Sequence, residues 1–252
     1  MIDEGQYLYC ITGPNESRSY GPVGIGGRGD EVTTISYEYL SGVISNTSTR
    51  KYVISRENMT CHEKVIEKVM AEGYTVLPVR FCTIAESPEE IRDVLRKRRT
   101  EFNGLLKDMD NKVELGLKAI WKDMKVIFGE IAEENERIGR LRDRIARNPT
   151  RDDQIELGEM VKKALEKKKE REAESIINSL KKISVDFKAN DTFGDNMFMN
   201  AAFLVDRSHE KEFDNLVEDF MTKYSERTKF KYVGPTPPFN FVNIVIHWEG
   251  RK

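Results

Sequence analysis

The chain has 252 residues, with 41 Lys and Arg against 43 Asp and Glu, and three cysteines, Cys10, Cys61 and Cys82. That length allows one large domain or two small ones, with a core that needs no covalent staple. The near-cancelling charge argues against a polyanion binder, which carries a basic excess on one face, and an odd set of distant cysteines without a CxxC pair argues against a disulfide framework or zinc knuckle.

MIDEGQYLYC has no basic stretch leading into an apolar one, so no signal peptide is expected. No apolar run approaches the ~20 residues that span a bilayer. The expectation is a soluble cytoplasmic protein with reduced, buried thiols.

QYLYCIT is rich in aromatic and β-branched residues and ends at Gly13-Pro14, so it predicts a strand and a break. A glycine-dense loop follows to about Asp30, expected to be a mobile turn. EVTTISYEYL and SGVIS predict two more strands. Ser55 is placed to cap a helix over Arg56 to Ala71, with Val65, Ile66, Val69 and Met70 as its apolar stripe and Gly73 past its end. TVLPVRFCT reads as the next strand. A helix then starts at the Ser87 cap, with Pro88 at its first position and Glu89 and Glu90 at the positive end of its dipole, and runs to Met109. The order β-β-β-α-β-α describes a first α+β domain over residues 1–110, with helices on one face of a mainly antiparallel sheet.

NKVELGLKAIW alternates Val113, Leu115, Leu117 and Ala119 against Glu114, Gly116 and Lys118, a half-buried strand that opens a second domain over 111–252. Met124, Ile131, Ile138 and Ile145 then recur every seven residues, with Ile127 and Leu141 three places after the first and third. Glu134 falls on an intervening position that a perfect seam would make apolar. Asn148-Pro149 stops this helix, and Thr150 with Asp153 starts another whose apolar positions continue to Phe187. So short a turn predicts an antiparallel helical hairpin inserted at about 123–188. NMFMNAAFLVD is a strand, Ser208 a cap for a helix to about Tyr224, and TKFKYVG and FNFVNIVIHW two closing strands around GPTPP. The second domain thus reads as a ferredoxin-like sheet-and-helix layer carrying the hairpin.

Gly24-Ile25-Gly26-Gly27-Arg28-Gly29 spells GxGxxG, but the β-branched residues after it cannot open the helix that a dinucleotide site needs. His62, His209 and His247 lie on three different elements with no metal-ligand spacing. No catalytic set, metal site or cofactor site is indicated. In TVLPVRFCT, alternation puts Leu77, Val79 and Phe81 toward the core and Arg80 on the opposite face. Arg80 there is either one half of a forked ion pair bracing the strand or part of an anion site with Arg56 or Arg96. Pro78 lacks an amide, which predicts a sheet edge or a bulge, and so a candidate open edge. Near the C-terminus Val242, Ile244, Ile246 and Trp248 share one face, and Phe239, Phe241, Asn243 and Val245 share the other. The second face is too apolar for solvent alone. It is either covered by the hairpin or a docking patch for an apolar partner.

Several of these segments together resemble the gas vesicle protein F/L family: YLYCI, His62 in the helix before VLPVRFCT, VELGLK, NAAFLVD and GPTPPFNF, in the family's order over almost the whole chain. There are departures. Cys82 stands where the family usually has glycine, and Thr236 and Phe239 stand where it usually has Trp and Tyr. The resemblance implies an α+β protein of two ferredoxin-like domains with a coiled-coil-like part. It implies a non-enzymatic accessory of gas vesicle assembly, at the vesicle surface and in the cytoplasm, whose partners are the apolar shell protein and other accessory proteins, with neither nucleic acid nor membrane. Phe239, Phe241, Val245, Pro237 and Pro238 are the candidate partner-binding residues, and Arg80 and Pro78 are structural. The rival expectation is a ferredoxin-like sensor or enzyme for a small anion or metabolite.

Overall fold

The structure is a computed structural model that describes residues 4–14, 17–49 and 51–248. Residues 15 and 16 of the predicted glycine-dense loop lie outside that description. The chain divides into two compact units, Met1–Glu114 with Pro235–Lys252, and Leu115–Gly234.

The first unit is built on a six-stranded sheet: β1 (Gly5–Thr12), β2 (Ser19–Gly21), β3 (Val32–Tyr37), β4 (Leu40–Thr47), β5 (Val76–Pro78) and β6 (Ile84–Ala85). The spatial order is β2-β3-β4-β1-β5, with β6 also paired to β1. A bulge between Leu8 and Cys10 shifts the β1–β4 register. Helix α1 (Arg56–Ala71) starts where predicted, because the Ser55 side chain accepts from the Asn58 amide. The predicted long helix after Ser87 is two helices, α2 (Pro88–Lys97) and α3 (Arg99–Met109), broken at Arg98.

Contrary to the expected single covered face, helices pack on both sides of this sheet. Val65, Ile66 and Val69 of α1 join Tyr7, Tyr9, Cys10, Val43 and Val76 in one core. Ile91, Leu95 and Phe102 of α2 and α3 join Leu8, Ile11, Ile44, Leu77 and Val79 in the other. A sheet covered on both faces needs apolar side chains on both, and β1, buried from Gln6 to Thr12, has them.

The second sheet has strands β7 (Lys112–Trp121), β8 (Asp186–Ala189), β9 (Met197–Asp206) and β10 (Thr228–Thr236), in the order β10-β7-β9-β8. Three helices separate β7 from β8, namely α4 (Met124–Glu134), α5 (Glu136–Arg147) and α6 (Arg151–Leu180), and α7 (Glu210–Lys223) separates β9 from β10. This is β-α-β-β-α-β connectivity with a helical insertion. The predicted seam helix is interrupted at Asn135, whose side chain accepts from the Ile138 amide and caps α5. Thr150 caps α6 by accepting from the Asp153 amide. Ion pairs Arg144–Asp153, Arg137–Glu156 and Lys168–Glu134 run the hairpin antiparallel. Phe187, expected to end the last hairpin helix, lies on β8. The helix stops at Leu180 and a short 3-10 turn, Lys181–Ile183, leads into the strand. A 3-10 turn, Arg207–His209, capped by Asp206, also precedes α7.

The expected last strand, FNFVNIVIHW, does not join the second sheet. It returns to the first unit, where Ile244 makes one parallel bridge with Val79.

Candidate functional site

The return segment, residues 235–248, holds all five candidate partner-binding residues. It begins with a tight turn in which the Pro237 carbonyl accepts from the Phe239 amide, and the Pro238 carbonyl accepts from the amides of Phe241 and Val242. Glu114 fixes that turn. It is only 5% exposed, and its carboxyl accepts from the Asn240 backbone amide (2.7 Å) and side-chain amide (2.5 Å). The Glu114 carbonyl also accepts from the Thr236 hydroxyl at 3.1 Å. Alternation along β7 pointed Glu114 to solvent. A carboxyl can be buried where amide donors meet it, and the donors come from a segment more than a hundred residues away.

Beyond the turn, Val242 and Ile244 enter the core beside Leu77 and Phe102, with Ile246 and Trp248 packed against it. The Ile244 carbonyl accepts from the Arg80 amide (3.1 Å), and the Val245 carbonyl accepts from the Arg98 guanidinium (2.8 Å). Arg98 is held by Glu101 and lies over the Phe102 ring, so the break between α2 and α3 is also a clamp on the return segment. The Val242–Trp248 face is thus the core face. Phe239 and Phe241 lie in the turn, where strand alternation does not apply; Phe239 is 36% exposed, and Phe241 and Val245 are half-buried. Pro237 and Pro238 are buried, so they shape the turn and do not present a surface.

Pro78 lies on β5, at one end of the sheet order, as its missing amide predicts. That edge is not open throughout, because the return segment takes it at Val79 and Arg80. The Arg80 side chain is exposed and forms no ion pair among the described residues. Its backbone is what braces the strand, by donating to Ile244 and accepting from the Thr83 hydroxyl. Arg56 and Arg96 are the alternative partners for an anion site. Those sit on helices against opposite faces of the sheet, and Arg96 pairs with Asp93.

Two buried polar groups, one in each unit, escaped sequence reasoning. His62, 2% exposed on α1, meets the Tyr7 hydroxyl through Nδ1 at 3.0 Å. The other ring nitrogen donates to the Val79 backbone, so Nδ1 of the neutral ring accepts from the Tyr7 hydroxyl, which in turn accepts from the Cys82 amide. Burial holds the imidazole neutral, lowering its pKa from the ordinary 6.5 to about 4 against the upward pull of a hydrogen bond to the Val79 backbone. Burial also pushes the Tyr7 phenol well above its usual range. Cys82, at φ 67, occupies the left-handed region, and its thiol accepts from the Tyr52 amide.

The second group is Lys168 on α6, 4% exposed and paired with Glu130 (3.0 Å), Glu134 (2.5 Å) and Glu172 (3.7 Å). Arg227 bonds both Glu130 and Glu172, and the Trp121 indole donates to Glu172. Hydrogen bonding from Arg227 holds the Glu130 carboxyl down to about 2. Glu134, the flaw in the apolar seam, thus supplies the partner that a buried ammonium requires.

Among the described residues no group of three or more His, Cys, Asp or Glu is placed to hold a metal ion, and no helix is long and apolar enough to cross a membrane. A groove between α1 and the glycine-rich loop is lined by Val23, Arg56, Thr60, Cys61, Lys64 and Lys68, among others. The loop that borders it is anchored: Tyr9 accepts from the Ile25 amide and Tyr52 donates to the Ile25 carbonyl.

The sequence profile of the family described as "Gas vesicle synthesis protein GvpL/GvpF" matches residues 5–243. The chain belongs to the GvpL/GvpF family. It is 27% identical over 253 residues to gas vesicle protein F1 of Halobacterium salinarum, covering 100% of this chain and 99% of the relative. It is 27% identical over 203 residues to gas vesicle protein F of Nostoc sp., covering 79% and 83%. Its fold matches the crystal structure of GvpF from Anabaena sp. PCC7120 with a TM-score of 0.83 at 24% identity, over 96% of this chain and 100% of the other. It matches GvpF from Microcystis aeruginosa with a TM-score of 0.78 at 25% identity, over 94% and 98%. As a member of this family the chain is a gas vesicle accessory protein.

Proposed function

We propose that the chain binds the apolar shell protein of the gas vesicle, and other accessory proteins, and does so without making or breaking bonds. A subunit of an apolar shell exposes surface that aggregates unless covered, and an accessory protein covers it until the growing shell takes it. The observation that carries this reading is the return segment. Its core-facing side is filled, and Phe239, Phe241 and Val245 keep some exposure on a backbone pinned by Glu114, Arg80 and Arg98. Rigid aromatic side chains on a braced backbone lose little freedom on binding.

The test is co-purification with the shell protein. Phe239→Asp combined with Phe241→Asp is expected to weaken capture while circular dichroism and melting stay close to wild type. A folded double variant that captures the shell protein undiminished removes the patch.

One observation favours a second reading, a small-anion site. Arg56, Lys64 and Lys68, the last bonded to the Tyr20 carbonyl, flank the apolar Val23 and Val65 in the groove beside α1, with one carboxylate, Glu57, among them. A thermal-shift screen with nucleotides and organic anions separates the two readings. A large, reproducible shift abolished by Arg56→Ala with Lys64→Ala supports the anion site.

A further inference from the structure

A sheet edge exposes unpaired amides and carbonyls that template another strand unless something blocks it. Among the described residues the two sheets have five outermost strands, β2, β5, β6, β10 and β8, of which β6, paired to β1, is only two residues long. At β2, Lys68 reaches over from α1 and donates to the Tyr20 carbonyl at 2.6 Å. At β5, the return segment already occupies Val79 and Arg80. β10 carries Lys229 and Lys231, so antiparallel self-pairing centred on Phe230, or on either lysine, sets lysine against lysine. Further along the same strand Pro235 has no amide to donate.

β8 differs. Its pairing with β9 runs Asp186↔Leu204, Phe187↔Phe203, Lys188↔Ala202 and Ala189↔Ala201, and the next residue continues it, with the Asn190 amide donating to the Asn200 carbonyl. In an antiparallel ladder, hydrogen-bonded pairs alternate with non-bonded ones. Asn190↔Asn200 being bonded, Asp186 and Lys188 direct their backbone groups inward and Phe187 and Ala189 direct theirs outward. The Phe187 amide is capped by its neighbour, the Asp186 carboxylate, at 2.7 Å. A second β8 laid antiparallel about Phe187 replaces that cap with a Phe187 carbonyl. It sets Asp186 of each copy opposite Lys188 of the other, in the non-bonded pairs where side chains approach most closely. Val185 stays out of this ladder, because its amide already donates to the Leu204 carbonyl of β9 at 2.7 Å.

We propose that β8 is a self-recognition edge, and that two copies of the chain pair β8 to β8 about a two-fold axis through Phe187, giving one continuous sheet with four strands from each copy. A two-fold contact must be self-complementary, and the Asp186-Phe187-Lys188 order satisfies this where the lysines of β10 do not. With so few paired residues the contact is weak, populated at high local concentration such as a growing assembly surface supplies.

Sedimentation velocity of the full chain over a wide concentration range tests it. Wild type shifts reversibly from monomer to dimer. Asp186→Lys loses the dimer, Lys188→Asp loses it too, and the chain with both exchanges regains it. Wild type that stays monomeric throughout overturns the proposal, as does a dimer unaffected by either single exchange. The register has its own readout. Mixed Asp186→Cys and Lys188→Cys chains form an intermolecular disulfide under mild oxidation that neither forms alone. A disulfide no more frequent in the mixture than in the separate variants refutes the register.

Discussion

Acidification from pH 7 to pH 5 should destabilise the first unit through one residue, His62. Its folded pKa of about 4 lies below the 6.5 of an exposed imidazole, so in this window the unfolded chain binds a proton that the folded chain refuses. The neutral ring's stabilising contribution is complete above pH 6.5 and is lost progressively as pH falls toward 4. With those two values the loss between pH 7 and pH 5 is about 1.8 kcal/mol, or roughly 20-fold in the folding equilibrium. The geometry explains why the ring does not simply accept the proton: Nδ1 receives the Tyr7 hydroxyl, which is itself committed to accepting from the Cys82 amide. Carboxylates do not blur the window. Glu101, held low by Arg98, and Glu130, held near 2 by Arg227, give up their contribution only below the ordinary carboxylate range. Glu63, raised by burial, acts in the opposite sense and is present in both chains compared.

The assay is hydrogen exchange of the buried β1 amides, corrected for intrinsic rates, in wild type and His62→Gln. Wild type should lose roughly 20-fold in protection between pH 7 and pH 5, and the variant, less stable at pH 7, should lose almost none of its own. An equal pH dependence in both chains refutes the assignment to His62.

Cys82→Gly should be more stable than Cys82→Ala by about 1 kcal/mol, since both lack the thiol and only alanine carries a Cβ in the left-handed region; equal melting temperatures would count against a cost there. Lys168→Met keeps the buried stem and removes the charge. It should destabilise the second unit by about 1–3 kcal/mol in urea titrations read at Trp121, less than a wholly buried pair costs because Glu134 is 46% exposed and keeps Arg171. A change within error would mean that the ammonium contributes nothing. Glu114→Ala leaves the Asn240 amides without their acceptor, at a cost of about 1–3 kcal/mol. It should loosen the return segment first, so the Arg80 amide, bonded to Ile244, exchanges faster while the β1 amides keep their protection. Uniform loss across the first unit would show that the segment and the sheet open together.

The local grammar of this chain is written in its residues. Ser55, Ser87 and Thr150 cap the helices they precede, Pro78 marks an edge, and alternation from Val113 to Ala119 makes a strand. These follow from interactions between near neighbours, which no distant contact needs to supply. The family follows as well, because several short segments in fixed order carry it. What could not be read locally are the destinations of ambiguous segments. FNFVNIVIHW has the pattern of a strand, yet Glu114, Arg80 and Arg98 together hold it as a strap on the first unit, and none of the three announces that role by its neighbours. Glu134 looks like an error until Lys168 arrives from another helix, and Arg98 and Asn135 end helices whose apolar periods run on past them. The sidedness of the first sheet is of the same kind. Whether a strand's second face meets water or a helix depends on which segments the closed chain brings to it, a property of the assembled packing that no stretch of residues contains alone.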